Sequence, residues 1–123
     1  MSFSNTPLLP NVIELKKNNA SSIAVLCEIP SNHPSTDGHF EDHPIVPGFI
    51  QFFWVQTFAQ KELHVELTGN IKKLKFKRLL KPSTSFTIDI TVTPKHYIAF
   101  TVSNEHGPFS SGNAEILISS NNG

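Results

Sequence analysis

Cysteine is nearly absent: Cys27 stands alone, so no internal disulfide can form, whereas a small domain stapled for an oxidising compartment carries several. The cytoplasm is the expected location. Neither sign of charge is in excess, since ten basic and ten acidic residues cancel, and net charge therefore gives no reason to expect nucleic-acid or membrane binding. No stretch approaches the ~20 consecutive apolar residues that span a bilayer. No basic segment followed by an apolar run opens the chain, so neither insertion nor export is expected. What remains is a chain of 123 residues, 38% hydrophobic and 16% charged. That is too little charge for a disordered polymer and enough apolar material for one core. One domain over residues 1–123 is expected, with an ordered part of about 10–119.

Val12 to Lys17 and Ile23 to Ile29 are short β-like runs separated by Asn18-Asn19-Ala20-Ser21, a polar break that suits a hairpin. Between Pro30 and Gly48 the prolines Pro30, Pro34, Pro44 and Pro47 forbid long regular structure and predict an ordered loop. Phe49 to Leu63 then runs without proline or glycine and carries Phe49, Ile50, Phe52, Phe53, Trp54, Val55, Phe58, Ala59 and Leu63. A helix apolar on nearly every side must be buried all round. Everything after it reads as strand: Lys73 to Leu80, Thr84 to Thr93, Tyr97 to Ser103 and Asn113 to Ser119. Strands joined without crossover helices give an antiparallel sheet, and the pattern predicts an α+β fold with that sheet wrapped around one long helix. The helix's far side would still need cover, which a second copy of the chain could supply; a homodimer is expected.

The most informative stretch is Gly38-His39-Phe40-Glu41-Asp42-His43-Pro44-Ile45-Val46-Pro47-Gly48. It resembles the Gly-His-Phe-Pro-Gly-x-Pro-x-x-Pro-Gly signature of the bacterial 3-hydroxyacyl-[acyl-carrier-protein] dehydratases of the FabA/FabZ type. Downstream, Lys75-Phe76-Lys77-Arg78 with Pro82 a few residues on is similar to that family's Lys-Phe-Arg strand and following turn. Gln51 and Trp54 look most like the ApeI-like branch. The resemblance implies a hotdog fold and action on a 3-hydroxyacyl thioester, borne by an acyl carrier protein or by coenzyme A, without a cofactor.

Eliminating water from such a thioester needs a base for the α-proton, a group to steady the enolate oxygen, and an acid for the departing hydroxyl. His39 suits the first task, because imidazole titrates near neutral pH. Gly48 suits the second: it falls at the expected helix N-terminus, where backbone N–H groups are unpaired and the dipole favours negative charge. Its lack of a side chain would let the carbonyl approach closely. Pro44 and Pro47 would fix the distance between base and amide. The third task marks a departure. The family's acid is a Glu or Asp fourteen positions after the histidine, and that count from His39 arrives at Phe53. Ile45 to Gln60 contains no carboxylate. Glu41 or Asp42, where the family has Pro-Gly, could supply the acid from a shifted position, and Gln51 or Gln56 could hold a water.

Phe40, Pro47, Phe49, Phe53 and Trp54 are the candidate acyl-lining residues, with plain core as the alternative for the helix aromatics. His39, Glu41, Asp42 and His43 could be read as metal ligands, but adjacent loop residues rarely converge on one ion, and no metal is expected. His33, His64, His96 and His106 read as surface residues. Six of the ten basic residues, Lys72, Lys73, Lys75, Lys77, Arg78 and Lys81, fall within ten positions. On a regular strand Leu74 and Phe76 would point inward and Lys73, Lys75 and Lys77 outward, with Arg78 of inward parity. The lysines and Arg78 form either a solvated edge or a dock for an acidic carrier or for phosphates. Three activities stay open: dehydratase, hotdog thioesterase, and a catalytically weak carrier-binding subunit that pairs with an active partner.

Overall fold

The computed structural model describes residues 9–29, 46–81 and 84–117. The expected hairpin is present. Strand β1 (Asn11–Asn19) and β2 (Ser22–Glu28) pair antiparallel around a tight turn, where the Asn19 side chain accepts a hydrogen bond from the Ser21 amide at 2.8 Å. Helix α1 (Gly48–Leu63) follows. It ends at His64, whose left-handed backbone (φ 58°) turns its N–H back onto the Ala59 carbonyl, a standard helix stop. Then come β3 (Leu67–Phe76), β4 (Ser85–Val92), β5 (Tyr97–Asn104) and β6 (Gly107–Ile116). All six strands form one antiparallel sheet in the order β1-β2-β4-β5-β6-β3.

Alternation makes one face of this sheet apolar. Ile23, Val25 and Cys27 of β2, Phe86, Ile88 and Ile90 of β4, and Ile98, Phe100 and Val102 of β5 are all buried. Onto that face α1 lays Ile50, Trp54, Val55, Phe58, Ala59 and Leu63. Trp54 is fully enclosed and stacks on Phe86 with ring centroids 5.6 Å apart. Phe52 tilts against Phe100 at 5.8 Å. Among the described residues no helix is long and apolar enough to cross a membrane.

Several expectations need correction. The helix is not buried all round in the single chain: the sheet covers one side, and Phe49 is 71% exposed on the other. Strand β3 starts six residues earlier than expected and ends at Phe76. Gly69 (φ 102°) and Lys73 (φ 58°) each accompany a register irregularity against β6, so the ladder runs on through breaks that resemble a turn in the sequence. Beyond the bulge the expected faces hold, with Lys75 opposite Ser111 and Phe76 opposite the buried Ser110. Burial does not: Leu74 is 40% and Phe76 55% exposed, because this edge extends past the cover of the helix. Strand β6 also begins early, at Gly107 (φ 122°), which closes the Glu105-His106 turn.

Candidate functional site

The site is built where the chain enters α1. The Val46 N–H donates to the Leu80 carbonyl at 2.7 Å, forming an isolated bridge that pins the entering chain to the segment after β3. Pro47 is the N-cap in an extended conformation (φ −60°, ψ 154°). Its carbonyl accepts from Ile50 and Gln51 at 3.1 and 3.2 Å. The helix start carries no side-chain cap and no acidic residue in its first turn. Its leading amides therefore keep their partial positive charge, the condition for attracting a developing oxyanion.

The lack of a side chain at Gly48 also has a consequence for packing. A Cβ on Gly48 would lie 2.5 Å from the ring of Phe76. The missing side chain leaves room for the ring of a phenylalanine from β3. Phe76 thus belongs to the site, and the signal for it was the Lys75-Phe76-Lys77-Arg78 segment, which had suggested only a core residue.

Gln51 is 4% exposed, and its amide is spent on structure. Its Nε2 donates to the Val46 carbonyl at 3.2 Å, and its Oε1 accepts from Ser110 Oγ at 2.8 Å. It joins helix start, entering chain and β6 in one buried network. Ser110 was invisible to sequence reasoning because it stands 59 positions from its partner. Gln56 is exposed and lines a hollow with Gln60, Val65, Glu66 and Leu67, near the far end of α1; it does not reach the helix start.

Of the candidate acyl-lining residues, Phe49 and Phe53 lie one helical turn apart on the uncovered face, 71% and 36% exposed, and Pro47 is half-buried beside them. Trp54 faces the other way and is core. The sole carboxylate on α1 is Glu62, in its last turn and 3.7 Å from Lys17. His39 and Phe40, with Glu41, Asp42, His43 and Pro44, lie outside the described residues.

The four basic candidates separate into two kinds. Lys73, Lys75 and Lys77 are exposed. Arg78 is half-buried and engaged within the chain: its Nη2 donates to Asn104 Oδ1 at 2.7 Å and to the Gly107 carbonyl at 2.6 Å. Its guanidinium also lies 4.1 Å from the centroid of the Phe109 ring. Arg78 therefore fastens the β5–β6 turn to the end of β3.

A six-stranded antiparallel sheet laid against one helix, with an uncapped helix start beside an exposed apolar face, defines a hotdog-fold protein. The comparisons agree. The family model described as ApeI-like, ApeI dehydratase, matches residues 15–113, and the chain belongs to that family. The 3-hydroxyacyl-[acyl-carrier-protein] dehydratase FabZ of Natranaerobius thermophilus is 27% identical over 73 residues, covering 53% of this chain. The match spans about half of that relative, 51% of its length. Among solved structures, one from the dehydratase heterocomplex ApeI:P of Xenorhabdus doucetiae superposes with a TM-score of 0.81 at 22% identity, covering 89% of this chain and 98% of that one. An uncharacterised protein from Erwinia carotovora subsp. atroseptica gives 0.72 at 18% identity, covering 88% and 95%.

Proposed function

We propose that this chain is a dehydratase-like protein that binds a 3-hydroxyacyl thioester at the start of α1 and polarises its carbonyl with the Gly48 amide. The observation that carries this reading is the uncapped, acid-free first turn of α1 at Gly48, immediately after the segment with His39. In the reaction, His39 removes the proton from the α-carbon while negative charge gathers on the thioester oxygen against the helix amides. The carbon–oxygen bond at the 3-position then breaks, and the hydroxyl leaves as water with a proton that Glu41 or Asp42, in the segment with His39, would supply. Phe49, Phe53 and Phe76, with Pro47 and Phe40, are the proposed walls for the acyl chain. The exposed Lys73, Lys75 and Lys77 favour an acidic carrier protein, or the phosphates of coenzyme A, by their field. Such a reaction belongs in the cytoplasm.

A second reading is favoured by Phe53, which stands where the acid is needed, and by Glu62 lying at the wrong end of the helix. Here the chain is one half of a complex whose other half completes the site; a chain similar in fold has been solved within a dehydratase heterocomplex.

Incubation of the purified protein with 3-hydroxyacyl carrier-protein thioesters of several chain lengths, followed by intact mass, tests the first reading. Loss of one water is expected, abolished in His39→Ala. Phe53→Glu should raise the rate about 10-fold or more, since a positioned proton donor contributes ~10²–10⁴. Release of free acid would instead mark a thioesterase. No turnover at any chain length, with no gain in a folded Phe53→Glu, would refute the enzyme reading for the chain alone.

A further inference from the structure

A hollow of about 400 Å³ opens between β3, β6 and the turn from β4 to β5, a volume within the ~300–1,000 Å³ of ordinary small-molecule sites. It lies on the face of the sheet turned away from α1. Ile98, Phe100 and Ala114 are buried under the helix, so Tyr97 of β5 and Asn113 of β6, which line the hollow, have the opposite parity and point outward. Lys72 stands opposite Asn113 in the ladder.

Three lysines from two separate elements meet around it. Neighbours on a regular strand point to opposite faces, yet Lys72 and Lys73 both line the hollow. A bulge explains this: Lys73 takes φ 58°, and the ladder slips between Lys72, opposite Asn113, and Lys75, opposite Ser111. Bulges re-aim side chains, and a lysine held in the left-handed region is the kind of strained point that gathers at ligand sites. On the other side Thr93 Oγ1 accepts from the Lys95 and Tyr97 amides, both at 3.4 Å, and fixes the turn that carries Lys95. Little of this charge is answered within the chain. Glu115 acts on Lys72, but its Oε1 already accepts from Thr68 and Asn70. Among the described residues Lys73 and Lys95 form no ion pair. Between the ammonium groups the walls are apolar: Pro94, the lysine methylenes and the Tyr97 ring, with Lys72 Nζ 5.2 Å from its centroid. A lone phosphate would answer the charges and leave that wall bare. A flat ring that carries phosphate answers both, since bases stack on aromatic side chains and phosphate pairs with ammonium.

We propose that this hollow is a nucleotide-binding site, in which Lys72, Lys73 and Lys95 hold the phosphates and the base lies against Tyr97 and Pro94, with the Asn113 amide as donor and acceptor for its polar edge. Two sources share this chemistry, a free nucleotide and the nucleotide end of coenzyme A. The hollow is on the other face of the sheet from α1, so binding there stands or falls separately from thioester chemistry at Gly48.

Amide NMR of the isotopically labelled full chain, titrated in turn with adenosine diphosphate, coenzyme A, adenosine and inorganic phosphate, tests this. The diphosphate should move the amides of Lys72, Lys73, Lys95, Tyr97 and Asn113, and bind about 10-fold or more tightly than adenosine or phosphate. Coenzyme A binding there more tightly than the diphosphate would assign the site to the coenzyme's nucleotide end, and weaker binding would assign it to a free nucleotide. Lys73→Asn with Lys95→Gln should weaken the diphosphate about 10-fold or more; asparagine suits the left-handed backbone at position 73, and Trp54 emission checks the fold. Tyr97→Leu keeps bulk but loses the flat face, and should weaken the diphosphate while leaving phosphate unchanged. Lys61→Gln, at an exposed position on α1, should change neither. Phosphate as tight as the nucleotide, shifts centred on Gly48 to Gln51, or no saturable shift at millimolar nucleotide would overturn the proposal, as would an affinity indifferent to the double lysine variant or to Tyr97→Leu.

Discussion

The residue that best reports the local environment is Cys27. Fully enclosed on β2 between sheet and helix, its thiol has its pKa pushed up from 9.0 to about 12 by burial alone. The sign follows from the thiolate being disfavoured only in the folded state. Below pH 9 both states hold the proton and stability is unaffected. Between pH 9 and about 12 the unfolded chain loses its proton while the folded one keeps it, so stability falls as pH rises. Over that window the loss is ~4 kcal/mol, from about 1.4 kcal/mol per pKa unit. Urea midpoints measured from pH 8 to 11 should decline, and Cys27→Ala should flatten the alkaline part of the curve. The folded thiol should also resist a thiol-specific reagent near neutral pH, since the thiolate is the reactive form.

Among elements, the attachment of α1 matters most to the site. The Val46–Gln51–Ser110 network holds the helix start still by tying entering chain, helix and β6 together. Removing one partner leaves a buried polar group unmet, which costs about 1–3 kcal/mol. Ser110→Ala should therefore lower the urea midpoint measurably. Gln51→Leu added to Ser110→Ala should cost less than the sum of the two single changes, because no unmet acceptor remains on the glutamine; strict additivity in the double-mutant cycle would mean that the two side chains are uncoupled. At this scale the sequence was readable where one local rule acted. Helix α1 and the β1–β2 hairpin follow from composition and turn residues, and β4 and β5 lie within a residue or so of expectation. The bounds of β3 and β6 were not readable, because Gly69 and Lys73 take positive φ inside a continuing ladder. A ladder is held by a partner strand, and no local pattern contains its partner.

For the whole molecule, one buried cluster gathers residues from β2, α1, β4, β5 and β6, so sheet and helix cannot come apart without exposing the same core. Unfolding should be a single transition, with Trp54 emission and far-UV circular dichroism superimposing in urea; separated midpoints would show a helix that detaches first. The sequence alone pointed to the family, through the spacing of Gly38 to Gly48, and it placed Phe53 fourteen positions after His39, because both are matters of residue identity along the chain. It also determined that the face of α1 carrying Phe49 and Phe53 is apolar. Only the tertiary structure decided that this face stays open in the single chain, that Phe76 packs over Gly48, that Arg78 is committed to the β5–β6 turn, and that the lysines line a free edge. Each of these depends on which distant segments meet, and that is set by the pairing order of the strands and the reach of the helix across the sheet.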